Sequence, residues 1–94
     1  MKFPSVQQES SSVHTAPNPF DVSTELKFSV PEAGADVTII IYNNLGVRIQ
    51  EYSHSYAGGE HIFTINLETE PAGVYHYKIL IGDLVESGKI ILQK

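Results

Sequence analysis

Hydrophobic residues alternate with polar ones along most of this chain, and this two-residue period restricts its local structure to β-strands. In residues 24–30, Leu26, Phe28 and Val30 take every second position, and charged or hydroxyl side chains fill the positions between them. Successive side chains of a strand point to opposite faces, so the stretch predicts a strand with one buried and one solvated face. No window of ten residues shows the 3.6-residue stripe of an amphipathic helix.

The same alternation predicts further strands at residues 37–42, 47–52, 62–67, 74–81 and 84–93, and a short one at residues 13–16. Residues 37–42 are apolar on both faces, which favours a central strand. The alternation slips at Tyr52, and a β-bulge or an edge position would explain that slip. A glycine inside a strand often marks a bulge, so Gly88 predicts a second one.

Turn-forming residues separate these runs, in residues 31–34, 43–46, 57–59, 71–73 and 82–83. Gly46 and Gly73 are expected to supply turn geometry, and Gly82-Asp83 is typical of a two-residue hairpin. Seven short strands at this spacing predict an all-β fold. We expect a seven-stranded antiparallel β-sandwich, Ig-like or fibronectin-III-like, without a disulfide because the chain has no cysteine.

Length and charge narrow the functions that the chain can have. Its 94 residues allow one domain. Gln7 to Ser12 are wholly polar, so residues 1–12 are expected to be a flexible linker and residues 13–94 the domain. Six basic residues against eleven acidic ones argue against nucleic-acid binding. No apolar run approaches the ~20 residues of a membrane helix, so direct membrane insertion is not expected.

The sequence offers no arrangement typical of catalysis, and we predict that the chain is not an enzyme and has no cofactor or metal. It contains no Gly-x-Ser-x-Gly elbow and no phosphate-binding loop. Its histidines have no close metal-ligand spacing, although folding could bring His61 and His76 together. A calcium-binding site in one of the loops is an alternative that the sequence does not exclude. Its tyrosines could form a sugar-binding platform, but Tyr75 and Tyr77 share a face with isoleucines and are expected in the core or at its rim. A buried tyrosine ordinarily bonds its hydroxyl to backbone.

Several segments, taken in order, resemble a known family. The first is Asn18-Pro19-Phe20, which is followed by the strand at residues 24–30 and by residues 37–43 with Gly46 three positions later. Next come Ala-Gly-Gly-Glu-His at residues 57–61 and Pro-Ala-Gly-Val-Tyr at residues 71–75. The chain then ends in Gly-Lys-Ile-Ile-Leu-Gln-Lys at residues 88–94. The set resembles the C-terminal sorting domain of the type IX (Por) secretion system, type A.

This resemblance implies a domain that directs an upstream cargo protein across the outer membrane of a Gram-negative bacterium. The implied partners are the outer-membrane translocon, the shuttle and sortase components, and the cargo domain in the same chain. A sortase-like peptidase would cleave the domain from its cargo, and cleavage would be coupled to surface anchoring. The implied location is the periplasm, in transit to the cell surface or the extracellular space.

The expected residue roles fall into two groups. A structural role is expected for Asn18, Pro19, Phe20, Gly46, Gly73, Tyr75 and Gly88. Recognition is expected at the last strand, where an edge for strand addition could be offered; its residues are Lys89, Ile90, Ile91, Leu92 and Lys94. The alternative is a non-catalytic accessory module, acting as a spacer or binding protein or carbohydrate.

Overall fold

The computed structural model describes residues 13–16 and 22–93, and most of these residues lie in β-strands. The strands are β1 (His14–Ala16), β2 (Ser23–Val30), β3 (Ala35–Tyr42), β4 (Arg48–Tyr56), β5 (Gly59–Asn66), β6 (Gly73–Ile81) and β7 (Leu84–Leu92). Every run predicted from the alternation overlaps one of them, so the all-β fold is confirmed. The predicted linker at residues 1–12, the Asn18-Pro19-Phe20 motif and Lys94 lie outside the described residues.

The predicted count of seven strands needs correction. Six strands have eight or nine residues, whereas β1 has three. The described chain therefore has six full-length strands, not seven. Only three residues of β1 pair with β2, and the sequence continues after Ala16 with a proline, which has no N–H to donate to a strand ladder.

The strands form two antiparallel sheets. One has the order β1-β2-β5 and the other the order β4-β3-β6-β7. Strand β3 has a neighbour on each side, which confirms the central position predicted from its two apolar faces. Strand β4 ends its sheet, and its register against β3 shifts so that Ile49 has no partner between Arg48 and Gln50. The slip in alternation therefore reflects both an edge position and a bulge.

Alternate residues of both sheets meet in a single hydrophobic cluster. Leu26 and Ile65 belong to the three-stranded sheet, and Ile41, Ile79 and Ile90 to the four-stranded sheet; each is completely buried. Burying one such side chain contributes roughly 1.5–3 kcal/mol, so the shared core holds the two sheets together.

Asn43 builds the turn between β3 and β4. Its Oδ1 accepts hydrogen bonds from the backbone N–H groups of Leu45, at 2.9 Å, and Val47, at 3.0 Å. Gly46 donates its N–H to the Asn43 carbonyl at 2.9 Å and has a φ of 82°, a backbone conformation that favours glycine. The predicted turn role of Gly46 is confirmed.

The predicted hairpin at Gly82-Asp83 is present between β6 and β7. Ile81 pairs with Leu84, which leaves only these two residues in the loop. Gly82 has a φ of 59°, as expected for the first central residue of such a turn. The short loop fixes the register of the last strand against β6.

Candidate functional site

The strand that carries the predicted recognition residues lies at the end of the four-stranded sheet. Strand β7 pairs with β6 along its whole length, from Gly73 opposite Leu92 to Ile81 opposite Leu84. It is the last strand in the order β4-β3-β6-β7. The strand thus combines a terminal place in the sheet with one face toward the core and one face outward.

The recognition residues divide between those two faces. Ile90 and Leu92 are 0% and 1% exposed, so their side chains belong to the core and cannot contact a partner of the folded domain. Lys89 is exposed and Ile91 is half-buried on the outer face. Of the set within the described residues, only Lys89 and Ile91 present their side chains on the surface.

Gly88 does not form the predicted bulge. It pairs with Tyr77 in a register that continues without a shift on either side. A Cβ at Gly88 would lie 2.5 Å from Cζ and the hydroxyl oxygen of Tyr77, so the glycine makes room for that ring. Burial, and to a lesser extent Glu86, raises the pKa of the Tyr77 hydroxyl.

Tyr75 anchors the entry to β6. Its side chain is 4% exposed, and its hydroxyl donates a hydrogen bond to the carbonyl oxygen of Pro71 at 2.5 Å. Gly73, between them, has a φ of 152°, which favours glycine. Burial and then Glu70 raise the pKa of the Tyr75 hydroxyl. The predicted core position of Tyr75, with its hydroxyl bonded to backbone, is confirmed.

Sequence reasoning missed a groove on the outer face of the four-stranded sheet, beside Lys89. The register places Tyr42 opposite His76, and His76 opposite Lys89. Lys78 lies two residues further along β6 on the same face, with its Nζ 6.0 Å from the centre of the Tyr42 ring. Together with Ser87 and the backbone of β6 and β7, these residues line a groove of about 420 Å³.

A second groove, of about 540 Å³, lies beside β4 and β5. Its largest walls are Tyr52 and Phe63, whose ring centres are 4.8 Å apart and whose planes meet at 53°. The two ring planes are inclined, so the pair does not form one flat stacking surface. The two buried tyrosines of β6 cannot contribute to one either.

The two histidines that folding could have gathered, His61 and His76, lie on different sheets. His61 is on β5, where its Nε2 lies 2.7 Å from the Ala57 carbonyl oxygen, and His76 is on β6 in the other sheet. Folding therefore does not gather these two residues. Among residues 13–16 and 22–93, no group of three or more His, Asp or Glu side chains is placed to hold a metal ion.

Comparison with known proteins identifies the family. Residues 15–93 match the family model described as a secretion system C-terminal sorting domain. The chain belongs to the type IX secretion C-terminal sorting domains. The resemblance inferred from the ordered motifs is thereby confirmed, and the matched span covers nearly the whole predicted domain.

Among solved structures, the C-terminal domain of wzt is similar over 87% of this chain and 70% of that chain, with 15% sequence identity and a TM-score of 0.49. No curated protein matches the chain.

Family membership makes this sorting domain a C-terminal sorting signal for type IX secretion, which implies interaction with that machinery and transit through the periplasm to the outer membrane or surface. The family is not a catalytic one, which agrees with the prediction that the chain is not an enzyme. Within the described residues there is no helix long and apolar enough to span a membrane.

Proposed function

We propose that this sorting domain directs an upstream cargo protein across the outer membrane. The translocon and shuttle components would recognise the folded domain, and a sortase-like peptidase would then remove it and couple the cargo to a surface anchor. Membership of the sorting-domain family is the observation that carries this proposal. Residues 13–94 would be the recognised domain, and residues 1–12 the linker in which cleavage occurs.

The recognised body would be an Ig-like or fibronectin-III-like sandwich. Two observations support this architecture. The three-stranded and four-stranded sheets share one core. Near the start of β6, the Tyr75 hydroxyl bonds to the backbone four residues upstream, at Pro71. A tyrosine at this place with this bond recurs at one corner of Ig-like sandwiches.

Recognition would centre on the outer face of β7. Lys89 and Ile91 offer a charge and an apolar side chain there. Lys94 lies outside the described residues and stays a predicted recognition residue. Ile90 and Leu92 would act indirectly, because their burial holds β7 against the core and so fixes where Lys89 and Ile91 point. The arrangement suits recognition of the folded domain. The buried side chains of β7 fix the strand in place, and the outward side chains of the same strand would contact the partner.

An export assay with surface variants tests this proposal. Residues 1–94 are fused behind a fluorescent protein that carries a secretory signal peptide, in a host with an active type IX system. The double variant Lys89→Glu/Ile91→Asp changes only the outer face of β7. The matched control is Lys27→Glu/Ile62→Asp, which changes a neighbouring lysine and isoleucine on the other sheet. Deleting the last strand would be a poorer test, because it removes Ile90 and Leu92 from the core.

We expect the wild-type and control fusions outside the cell, shortened by the domain, and the β7 variant in the periplasm although it is folded by circular dichroism. Equal export of both double variants would refute recognition at β7. Retention of the wild-type fusion in the periplasm would instead favour the alternative, a non-catalytic accessory module that acts as a spacer or binding domain.

A further inference from the structure

Strand β4 ends the four-stranded sheet on the side opposite β7, and its outer edge has no neighbouring strand among the described residues. We propose that this edge pairs with the β4 edge of a second copy of the chain, so that the two four-stranded sheets join into one continuous sheet. Such pairing goes beyond the proposed function, because it concerns how two sorting domains associate and not how the secretion machinery recognises one.

The sheet register shows which backbone groups of β4 face the open edge. Gly82 donates its N–H to the Asp36 carbonyl at 3.0 Å, so Asp36 directs its backbone hydrogen bonds toward β6. In antiparallel sheets these bonds alternate between the two sides of a strand, so Val37 and every second residue after it bond to β4. The residues of β4 between their partners direct N–H and C=O groups into the open edge; they are Glu51, Ser53 and Ser55.

This edge lacks the features that usually keep an edge strand from pairing. From Gln50 to Tyr56 it contains no proline, no lysine and no register shift. Its carboxylate, on Glu51, lies 2.6 Å from Arg48, so the edge is locally neutral although the chain has a formal net charge of −5. By contrast, β1 pairs over only three residues and β7 contains a lysine, which makes those two edges less suited to pairing.

The regular part of the edge is self-complementary about its middle residue. Two identical strands that pair in antiparallel orientation are related by a two-fold axis, which here would pass beside Ser53. Ser53 would face its own copy, and Glu51 would face Ser55 of the second copy, so no like charges oppose each other. The backbone groups that face the edge would exchange about six hydrogen bonds across the axis.

The groove beside β4 and β5 would add an apolar contact to this pairing. Tyr52 and His54 lie opposite buried residues of β3 and line the groove of about 540 Å³ on the inner side of β4. Across the axis, Tyr52 would face His54 of the second copy, and such aromatic cross-strand pairs stabilise sheets. Tyr52 is 43% exposed beside the Phe63 ring, so pairing would remove apolar surface from water.

Crosslinking through a single cysteine tests the two-fold arrangement, because the chain has no cysteine of its own. Ser53→Cys places a thiol beside the proposed axis, where a short bismaleimide would join it to its copy. Ser87→Cys is the matched control, since Ser87 is an exposed serine on the opposite edge strand of the same sheet. Sedimentation equilibrium of the unmodified 94-residue protein, from roughly 10 μM to 1 mM, measures the oligomeric state.

We expect a monomer–dimer equilibrium in which half of the chains are paired at roughly 0.1–1 mM, because the interface is small. Ser53→Lys should raise this midpoint about tenfold, since two lysines would oppose each other at the axis, and Ser87→Lys should leave it unchanged. Ser53→Cys should crosslink into a covalent dimer, and Ser87→Cys should stay monomeric.

A protein that stays monomeric at about 1 mM would overturn the proposal. Equal crosslinking of the two cysteine variants, or equal weakening by the two lysine variants, would overturn pairing through β4 in favour of another surface. Circular dichroism checks that the lysine variants are folded, and the cysteine variants decide the proposal if Ser53→Lys does not fold. These measurements are made on the isolated chain in solution, so their failure leaves the proposed function intact, and the export assay decides that function separately.

Discussion

Replacing Gly88 with alanine should destabilise the domain, because the new methyl group would occupy space that the Tyr77 ring already fills. An alanine Cβ at this position would lie 2.5 Å from Tyr77 Cζ. Carbon atoms pack best at about 3.5–4.0 Å, so the ring would have to move by roughly 1 Å. Tyr77 is only 7% exposed and has little room to move. Overpacking of this kind typically costs about 1–3 kcal/mol.

The sign of this effect should reverse once the ring is gone. Leucine in place of Tyr77 lacks the ring atoms that a Cβ at Gly88 would meet. In the Tyr77→Leu background, Gly88→Ala should therefore stabilise the domain by about 0.5–1 kcal/mol, because alanine loses less chain entropy than glycine on folding. The coupling energy between the two positions should then be about 1.5–4 kcal/mol.

Urea unfolding of the four proteins in this double-mutant cycle measures the coupling, with circular dichroism as the signal. Ser87→Ala is the matched control, since Ser87 is an exposed neighbour on the same strand and its replacement should change stability by less than about 0.5 kcal/mol. An equal cost of Gly88→Ala in the tyrosine and leucine backgrounds would refute the reasoning.

Three further predictions concern stability. Tyr75→Phe should lower the free energy of unfolding by about 1 kcal/mol through loss of the hydrogen bond to Pro71. Because burial raises the pKa of the Tyr75 hydroxyl, this hydroxyl stabilises the folded domain fully below pH ~10, and its contribution is lost as the pH rises further. Thermal melts should therefore show a smaller cost of the substitution at pH 11 than at pH 8. Asn43→Ala should cost about 1–2 kcal/mol in urea titrations, since two turn N–H groups lose their acceptor. By calorimetry, Ile90→Ala should lower the free energy of unfolding by about 2–5 kcal/mol, whereas Ile62→Ala, at a side chain that is 57% exposed, should lower it by less than about 1 kcal/mol. Similar losses of stability in the two variants would contradict the burial assigned to β7.

The strands could be predicted because alternation is a local property of the sequence. Leu26 and Phe28 face the core as their spacing predicted, and the slip before Tyr52 corresponds to a real bulge at Ile49. The bulge predicted at Gly88 was wrong for a physical reason. A glycine within a strand can mark either a bulge or a close approach by another side chain, and only the register with Tyr77 distinguishes them.

The surface beside β7 was predictable in part. A two-residue hairpin at Gly82-Asp83 fixes the register of β6 against β7, so the pairing of His76 with Lys89 follows from local sequence. The position of Tyr42 opposite His76 does not follow from local sequence, because β4 and β5 lie between β3 and β6 in the chain and no tight turn sets the register of β3 against β6. Long-range pairing of this kind depends on the whole core.

The most direct test of the central claim, that this domain is a type IX sorting signal, is to measure where a fluorescent cargo accumulates with and without residues 1–94. The cargo carries a secretory signal peptide in every case, and the host has either an active or an inactivated type IX system. We predict cargo outside the cell only when the domain and the active system are both present. Equal amounts outside the cell with and without the domain, or unchanged export when the system is inactivated, would contradict the claim.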